Sequence, residues 1–232
     1  MPIRSRRQFI SGFGCGCLAA AAPWTASPIL AASPKPKTTV TADQAIELLK
    51  QGNADFLNGS CTATSPERIH SLAGGQAPFA VIVGCSDSRT PPETLFNRGL
   101  GELFIVRVAG NTVEGSGLGS VEYGTGVLGA RLVLVLGHTQ CGAVDAAIEA
   151  VTKNVKFPGA IGSVVAPIIP AVRSLKGGDD LARRAVRANV QRVVARLKAK
   201  PTLAKSVADG KIKVAGAVYD LATGKVDFGV AA

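Results

Sequence analysis

Aromatic residues are scarce in this sequence. Phe, Trp and Tyr together make up 5% of its 232 residues, including one Trp and two Tyr. Val, Ala, Leu and Ile must therefore fill most of any core, which favours helices packed closely on a sheet. The hydrophobic fraction of 47%, against 18% charged residues, excludes an intrinsically disordered chain. The length suits one domain of ordinary size.

Acidic residues are also in the minority. Asp and Glu number 16 against 26 Lys and Arg, which gives a formal net charge of +10. An excess of cations can indicate a nucleic-acid partner. Here the cations are scattered, apart from a group in residues 173–200 that is typical of the solvated face of a helix. We therefore expect no nucleic-acid partner.

No apolar run reaches the roughly 20 residues that a membrane-spanning helix needs. The N-terminus instead resembles a twin-arginine export signal. Residues 5–10 read SRRQFI, a Gly- and Ala-rich stretch follows, and small residues precede Ala32. A short membrane anchor is the alternative, but the apolar stretch is too short and too rich in glycine.

These features predict a twin-arginine signal peptide over residues 1–32, a linker over residues 33–40 and no integral membrane anchor. The single domain then covers residues 41–232. We expect the protein to be periplasmic or otherwise exported, and to reach the thylakoid lumen if the source is photosynthetic.

Apolar, β-branched runs bounded by turn residues predict four strands, over residues 79–84, 103–108, 132–137 and 212–219. An antiparallel edge strand is expected at residues 225–230. Because helical stretches alternate with the strands, we predict an α/β fold. It has a mostly parallel four-stranded central sheet, an additional antiparallel edge strand, helices on both faces and an N-terminal helical arm.

Helical spacing of apolar residues predicts the helices. The first covers residues 41–58, with Thr41 as its N-cap and a break at Gly52. Its apolar face is narrow, so we expect the helix to pack against a separate body, such as a partner subunit. Further helices are expected over residues 120–130, 143–151, 161–175 (split by its prolines) and 179–198.

Metal-ligand residue types follow two of the predicted strands. Cys85 comes directly after residues 79–84, and His138 and Cys141 come after residues 132–137. The carboxyl ends of parallel strands meet at one edge of a sheet, where ligands bind. Two thiolates and an imidazole suit zinc and leave the fourth coordination position open. The alternative is a Cys85–Cys141 disulfide beside a bystander histidine. His70, in a loop, is expected to be solvated.

Asp87 and Arg89 lie two and four residues beyond Cys85. A bidentate pair with Arg89 would keep Asp87 ionised. Asp87 could then orient a metal-bound water, or it could fill the fourth coordination position itself and close the site. A simple surface ion pair remains the third possibility.

Two segments carry a family resemblance, residues 85–89 (CSDSR) and 138–142 (HTQCG), with fifty-two residues between Cys85 and His138. With these segments, the chain from Thr41 to Val226 resembles the β-class carbonic anhydrases. The resemblance implies one Zn²⁺ per subunit on Cys85, His138 and Cys141. It also implies reversible hydration of carbon dioxide to bicarbonate and a proton, by a zinc-bound hydroxide that an Asp87–Arg89 dyad orients.

The resemblance further implies a substrate pocket and an oligomer. The implied pocket residues are Gln76, Phe104, Ala109, Tyr123 and Gly142. Ala109 stands where the family usually has valine. Phe104 and Tyr123 would be contributed across a dimer interface, and residues 41–58 would wrap a partner in a homodimer or tetramer. Two alternatives stay open: hydrolysis of CS2 or COS on the same fold, and a zinc-binding structural protein without turnover.

Overall fold

Five strands form one sheet in the computed structural model, which describes residues 37–230. The strands are β1 (Ala80–Gly84), β2 (Leu103–Arg107), β3 (Leu132–His138), β4 (Lys213–Tyr219) and β5 (Val226–Val230). Their order is β2-β1-β3-β4-β5. The first four are parallel, and β5 pairs antiparallel with β4. The predicted α/β fold class is confirmed. The central sheet was predicted with four strands and an additional edge strand, whereas all five strands belong to one sheet.

Nine α-helices surround this sheet in the described part of the chain. They are α1 (Ala42–Leu57), α2 (Pro66–Leu72), α3 (Pro92–Leu95), α4 (Gly115–Glu122), α5 (Gly142–Thr152), α6 (Ile161–Val165), α7 (Ile169–Arg173), α8 (Leu181–Lys198) and α9 (Pro201–Ala208). A 3₁₀ turn, Ala109–Asn111, follows β2, and a π-helical turn, Tyr123–Val127, follows α4. No helix among these residues is both long and apolar enough to cross a membrane.

The two central strands are the most apolar part of the sheet. Every residue of β1 and β3 is buried. Alternate side chains point to opposite faces, so Val81 and Val83 join one core with α5, α7 and α8, while Ile82 joins another with α1 and α3. Burial on both faces explains why these strands read as continuous apolar runs.

The helix α1 differs from its prediction at Gly52. Thr41 is its N-cap, as expected, in a capping box with Gln44. The helix nevertheless continues through Gly52, which lies against the carbonyl of Phe96: a Cβ there would be 1.8 Å from that oxygen. Ala45 and Leu49 are fully buried in the core of their own chain. The expected break is therefore wrong, whereas the expected contact of residues 41–58 with a partner subunit stays a prediction.

The helix α8 lies unusually close to the sheet. Its buried side faces two glycines, Gly137 of β3 and Gly216 of β4, where a Cβ would come within 2.6 and 2.7 Å of Val190 methyl groups. Prolines split residues 161–175 into α6 and α7, as predicted. The short helix α9, which begins at a proline, was not predicted.

Candidate metal centre

The fold brings Cys85, His138 and Cys141 together. Cys85 follows β1, His138 is the last residue of β3, and Cys141 is the N-cap of α5. Since β1 and β3 are parallel neighbours with Gly84 opposite Leu136, both strands end at the same edge. The two sulfurs and an imidazole nitrogen lie within 4.8 Å of one another, and all three residues are buried.

The turn between His138 and Cys141 is built to aim both side chains at one point. Gln140 adopts a left-handed conformation with φ 54°, which reverses the chain before Cys141. The turn is fixed to the end of β4, because the amide of Thr139 donates to the Tyr219 carbonyl at 2.9 Å. The hydroxyl of Thr139 accepts from the Leu221 amide at 3.0 Å.

The imidazole of His138 is oriented for ligation through Nε2. Its Nδ1 lies 2.9 Å from the Thr139 carbonyl, so Nδ1–H donates and Nε2 carries the free lone pair. Nε2 is buried and has no hydrogen-bond partner among the described residues. A buried polar atom without a partner is costly. A metal ion would supply that partner, and two thiolates with one imidazole form a donor set that zinc prefers.

The two thiols shift the pKa values of one another in opposite directions. The neighbouring Cys141 thiol lowers the pKa of Cys85 to about 4. In turn, the neighbouring Cys85, together with burial, raises the pKa of Cys141 well above its usual range. Two backbone amides also point at the Cys85 Sγ, that of Gly110 at 3.3 Å and that of Asp87 at 3.4 Å. A divalent ion bound between the two sulfurs would stabilise both thiolates.

Asp87 and Arg89 form the expected bidentate pair at the rim of this cluster. Arg89 Nε donates to Asp87 Oδ1 at 2.9 Å, and Nη2 donates to Oδ2 at 2.7 Å. The Arg89 hydrogen bonds hold the pKa of Asp87 far below its usual range. Asp87 Oδ2 lies 3.9 Å from His138 Nε2. Asp87 therefore borders the cluster, while both of its oxygens are bound by Arg89.

Sequence reasoning missed Arg107 and the backbone of Gly110. From the end of β2, Arg107 donates through Nε to the Cys85 carbonyl at 2.7 Å and through Nη2 to the Asp87 carbonyl. One guanidinium thus binds both ends of the segment that carries Cys85 and Asp87. An arginine that donates to backbone carbonyls has no sequence signature. A backbone amide that donates to a sulfur has none either.

The structure separates the expected pocket residues into two groups. Ala109 begins the 3₁₀ turn that contacts Cys85, and Gly142 is the exposed first residue of α5. Both lie at the cluster.

The other three expected residues lie elsewhere in the chain. Gln76 precedes β1 and therefore lies at the amino-terminal ends of the parallel strands, whereas the cluster lies at their carboxyl ends. Phe104 pairs with Val81, four residues before Cys85, which is about 13 Å along the strand. Tyr123 lies with Phe104, their ring centroids 6.1 Å apart. One chain therefore does not bring these three side chains to the cluster.

An α/β sheet with a buried Cys-His-Cys cluster where its parallel strands end, and with one carboxylate at the rim, defines the class of proteins that could hold a metal ion at this place. Comparison with known proteins agrees. Residues 80–226 match the family described as "Carbonic anhydrase". The chain is 38% identical over 184 residues to "Carbonic anhydrase 2" of Mycobacterium tuberculosis, covering 76% of this chain and 87% of the relative.

It is also 37% identical over 169 residues to the "Carbonic anhydrase" of Pseudomonas aeruginosa, covering 68% of this chain and 76% of the relative. Among solved structures, the Coccomyxa β-carbonic anhydrase in complex with acetazolamide is 28% identical. It superposes with a TM-score of 0.61 over 80% of this chain and 82% of that one. The chain belongs to the β-class carbonic anhydrase family.

Proposed function

We propose that this protein catalyses the reversible hydration of carbon dioxide to bicarbonate and a proton, with zinc held by Cys85, His138 and Cys141. One observation carries the proposal: three ligand atoms within 4.8 Å of one another, all buried, one of them a His138 Nε2 without a partner. Zinc held by these residues would supply the Lewis acidity that lets water react as hydroxide near neutral pH.

Two thiolates would cancel the charge of a bound divalent ion, so the surrounding residues must help to make it acidic. The amides of Gly110 and Asp87 donate to the Cys85 sulfur. Each such hydrogen bond withdraws electron density from the sulfur and would leave a metal ion bound there more acidic. This is the contribution of the backbone to activating water.

Asp87 orients the attacking water. Its carboxylate stays ionised because Arg89 binds both oxygens. It lies at the rim of the cluster and accepts a hydrogen bond from the nucleophile, which aims a lone pair at the carbon of carbon dioxide. Because Arg89 holds the carboxylate, we place Asp87 outside the metal coordination sphere.

The first amides of α5 stabilise the oxygens that become negative. Gly142 is exposed at the N-terminus of this 11-residue helix, beside the ligand Cys141. Unpaired amides at a helix N-terminus favour an anion there. The Gly142 amide is therefore the donor for developing bicarbonate, and Ala109 lines the apolar side of the pocket.

A second copy of the chain completes this pocket. Gln76, Phe104 and Tyr123 lie far from the cluster of their own chain, so they can serve only the cluster of a partner. The edge strand β2 has no neighbour on its outer side among the described residues. Beside Phe104, Tyr123 and Val127 are 42% and 49% exposed. A homodimer, or a tetramer built from it, would cover this apolar edge.

The enzyme is exported by the twin-arginine route. This part of the proposal rests on the SRRQFI segment, which lies outside the described residues. Replacing Arg6→Lys and Arg7→Lys together should leave unprocessed precursor in the cytoplasm, as seen by fractionation. Normal processing and export of this variant would contradict the signal assignment.

Stopped-flow measurement of carbon dioxide hydration by the purified protein tests the activity. We expect turnover well above the uncatalysed rate, with bicarbonate dehydration in the reverse direction. The hydrolase alternative would replace the proposal if the protein holds one zinc per chain and hydrolyses CS2 or COS but does not hydrate carbon dioxide. Zinc without turnover on any of these substrates would indicate a structural protein.

A further inference from the structure

Asn189 is a buried amide on the apolar side of α8. Its exposed fraction is 0%, and its neighbours on the buried side of the helix are alanine, valine and leucine. Its Nδ2 donates to the carbonyl of Gly110 at 2.8 Å, across seventy-nine positions of sequence. Its Oδ1 has no hydrogen-bond partner among the described residues. A residue needed only to fill space here would be more favourable if apolar.

The partner of Asn189 lies at the metal cluster. Gly110 donates its own N–H to the Cys85 Sγ at 3.3 Å. It adopts a left-handed conformation with φ 72°. A Cβ at Gly110 would lie 2.5 Å from Ile168 and 3.1 Å from Ala143. The glycine is therefore confined between α5 and the segment joining α6 to α7, and the direction of its amide depends on its backbone torsions.

We propose that Asn189 is a positioning residue for the metal centre. By holding the Gly110 carbonyl, it fixes the turn in the orientation that keeps the Gly110 N–H on the Cys85 sulfur. The N–H and the C=O belong to peptide groups on either side of the Gly110 Cα, so the effect is geometric rather than electronic. The inference deepens the proposed function, because it concerns how a metal ligand of that site is tuned.

The consequence for the sulfur is specific. Losing the N–H hydrogen bond leaves the Cys85 thiolate more electron-rich and its position less defined. Partners of this kind typically contribute about 10- to 100-fold to metal affinity or activity. Ligand-to-metal charge transfer from a more electron-rich sulfur moves to lower energy, which a loss of global stability alone would not cause.

The test compares Asn189→Leu with Val193→Ala. Leucine has a similar volume but no donor. Val193 is one turn further along the same buried side of α8 and is 3% exposed, so its truncation destabilises the core without touching the turn. Three quantities are measured on each protein: zinc affinity by competition with a chelator, the sulfur-to-cobalt absorption band after cobalt substitution, and hydrogen exchange of the Gly110 amide in the metal-free protein.

We expect Asn189→Leu to lower zinc affinity about 10-fold or more and to shift the cobalt band to lower energy. We also expect the Gly110 amide to exchange faster than the lower global stability of the variant alone would cause. Val193→Ala should leave affinity and band close to those of the wild type. If leucine prevents folding, Asn189→Ala serves in its place. Equal affinities, equal bands and equal stability-corrected exchange in the two variants would overturn the proposal. Exchange of Gly110 is measured without metal or substrate, so this result is independent of whether carbon dioxide is hydrated.

Discussion

Asp87 and the three cluster residues share one edge of the sheet, but their roles differ. The cluster residues present buried ligand atoms, whereas Asp87 has both oxygens bound by Arg89. We therefore expect Asp87→Asn to lower kcat/KM for carbon dioxide hydration by about 10²- to 10⁴-fold and to leave one zinc per chain. Stopped-flow kinetics and metal analysis of the same preparation check this.

The control for that variant is Asp179→Asn, a change at an exposed aspartate, which should leave both the rate and the zinc content unchanged. A parallel loss of zinc in Asp87→Asn would make Asp87 a ligand. An unchanged rate would remove it from the mechanism.

Single residues also show what sequence can and cannot reveal. Cys85, His138 and Cys141 could be predicted as neighbours because each lies at or just beyond the end of a buried strand, and parallel strands end at a common edge. Arg107, Gly110 and Asn189 could not, since their contacts join distant parts of the chain and involve backbone atoms. Only the packing of α8 on the sheet places Asn189 beside the turn.

At the level of elements, α1 packs closely against the backbone of Phe96 at Gly52. A Cβ at this position would be 1.8 Å from the Phe96 carbonyl oxygen, a backbone atom that cannot move aside freely. Gly52→Ala should therefore destabilise the protein by about 1–3 kcal/mol, although alanine favours a helix. Chemical denaturation measures this, with exposed Gln51→Ala as the control. Stabilisation by Gly52→Ala would contradict the contact.

The edge strand β5 is tied to α8 by one ion pair. Arg187 Nη1 lies 2.6 Å from Asp227 Oδ2 and holds the pKa of that carboxyl below its usual range. A lowered carboxyl pKa stabilises the fold above the unfolded value of about 3.9, and the stabilisation is lost as the pH falls through the folded value. Because both side chains are substantially exposed, we expect at most about 1 kcal/mol.

Asp227→Asn should thus lower the free energy of unfolding at pH 7, and its difference from the wild type should shrink as the pH falls below about 4. Urea denaturation at a series of pH values measures this. In an Arg187→Gln background the same change should have little effect. A difference that does not vary with pH would exclude the ion pair as its cause.

Elements could be predicted where local pattern decides them. The parallel strands and α8 followed from apolar runs and helical spacing. The break at Gly52 was wrong because the glycine serves a tertiary contact with Phe96 rather than a turn. Helix α9 was missed because it has only eight residues, so that its apolar pattern is limited to a single pair, Leu203 and Val207, four residues apart.

On the scale of the whole molecule, the proposed second copy supplies residues that the chain cannot bring to its own cluster. Tyr123→Asp would introduce a charge into the apolar edge formed with Phe104 and Val127. We expect the variant to be monomeric in light scattering after size-exclusion chromatography, to retain zinc and to lose most activity. A monomeric variant with full activity would show that one chain is sufficient. The pattern of residues alone does not say which chain a pocket residue serves; only the family resemblance implied that Phe104 and Tyr123 act across a dimer interface.

The most direct test of the central claim joins metal content to turnover in one experiment. Zinc per chain and the rate of carbon dioxide hydration are measured on wild type, Cys85→Ser and Cys61→Ser. Cys61 is an exposed free cysteine outside the cluster, so its variant controls for the loss of a thiol. The account predicts one zinc and full activity for wild type and Cys61→Ser, with zinc and activity lost together in Cys85→Ser. A Cys85→Ser protein that keeps its zinc and hydrates carbon dioxide at the wild-type rate would contradict it.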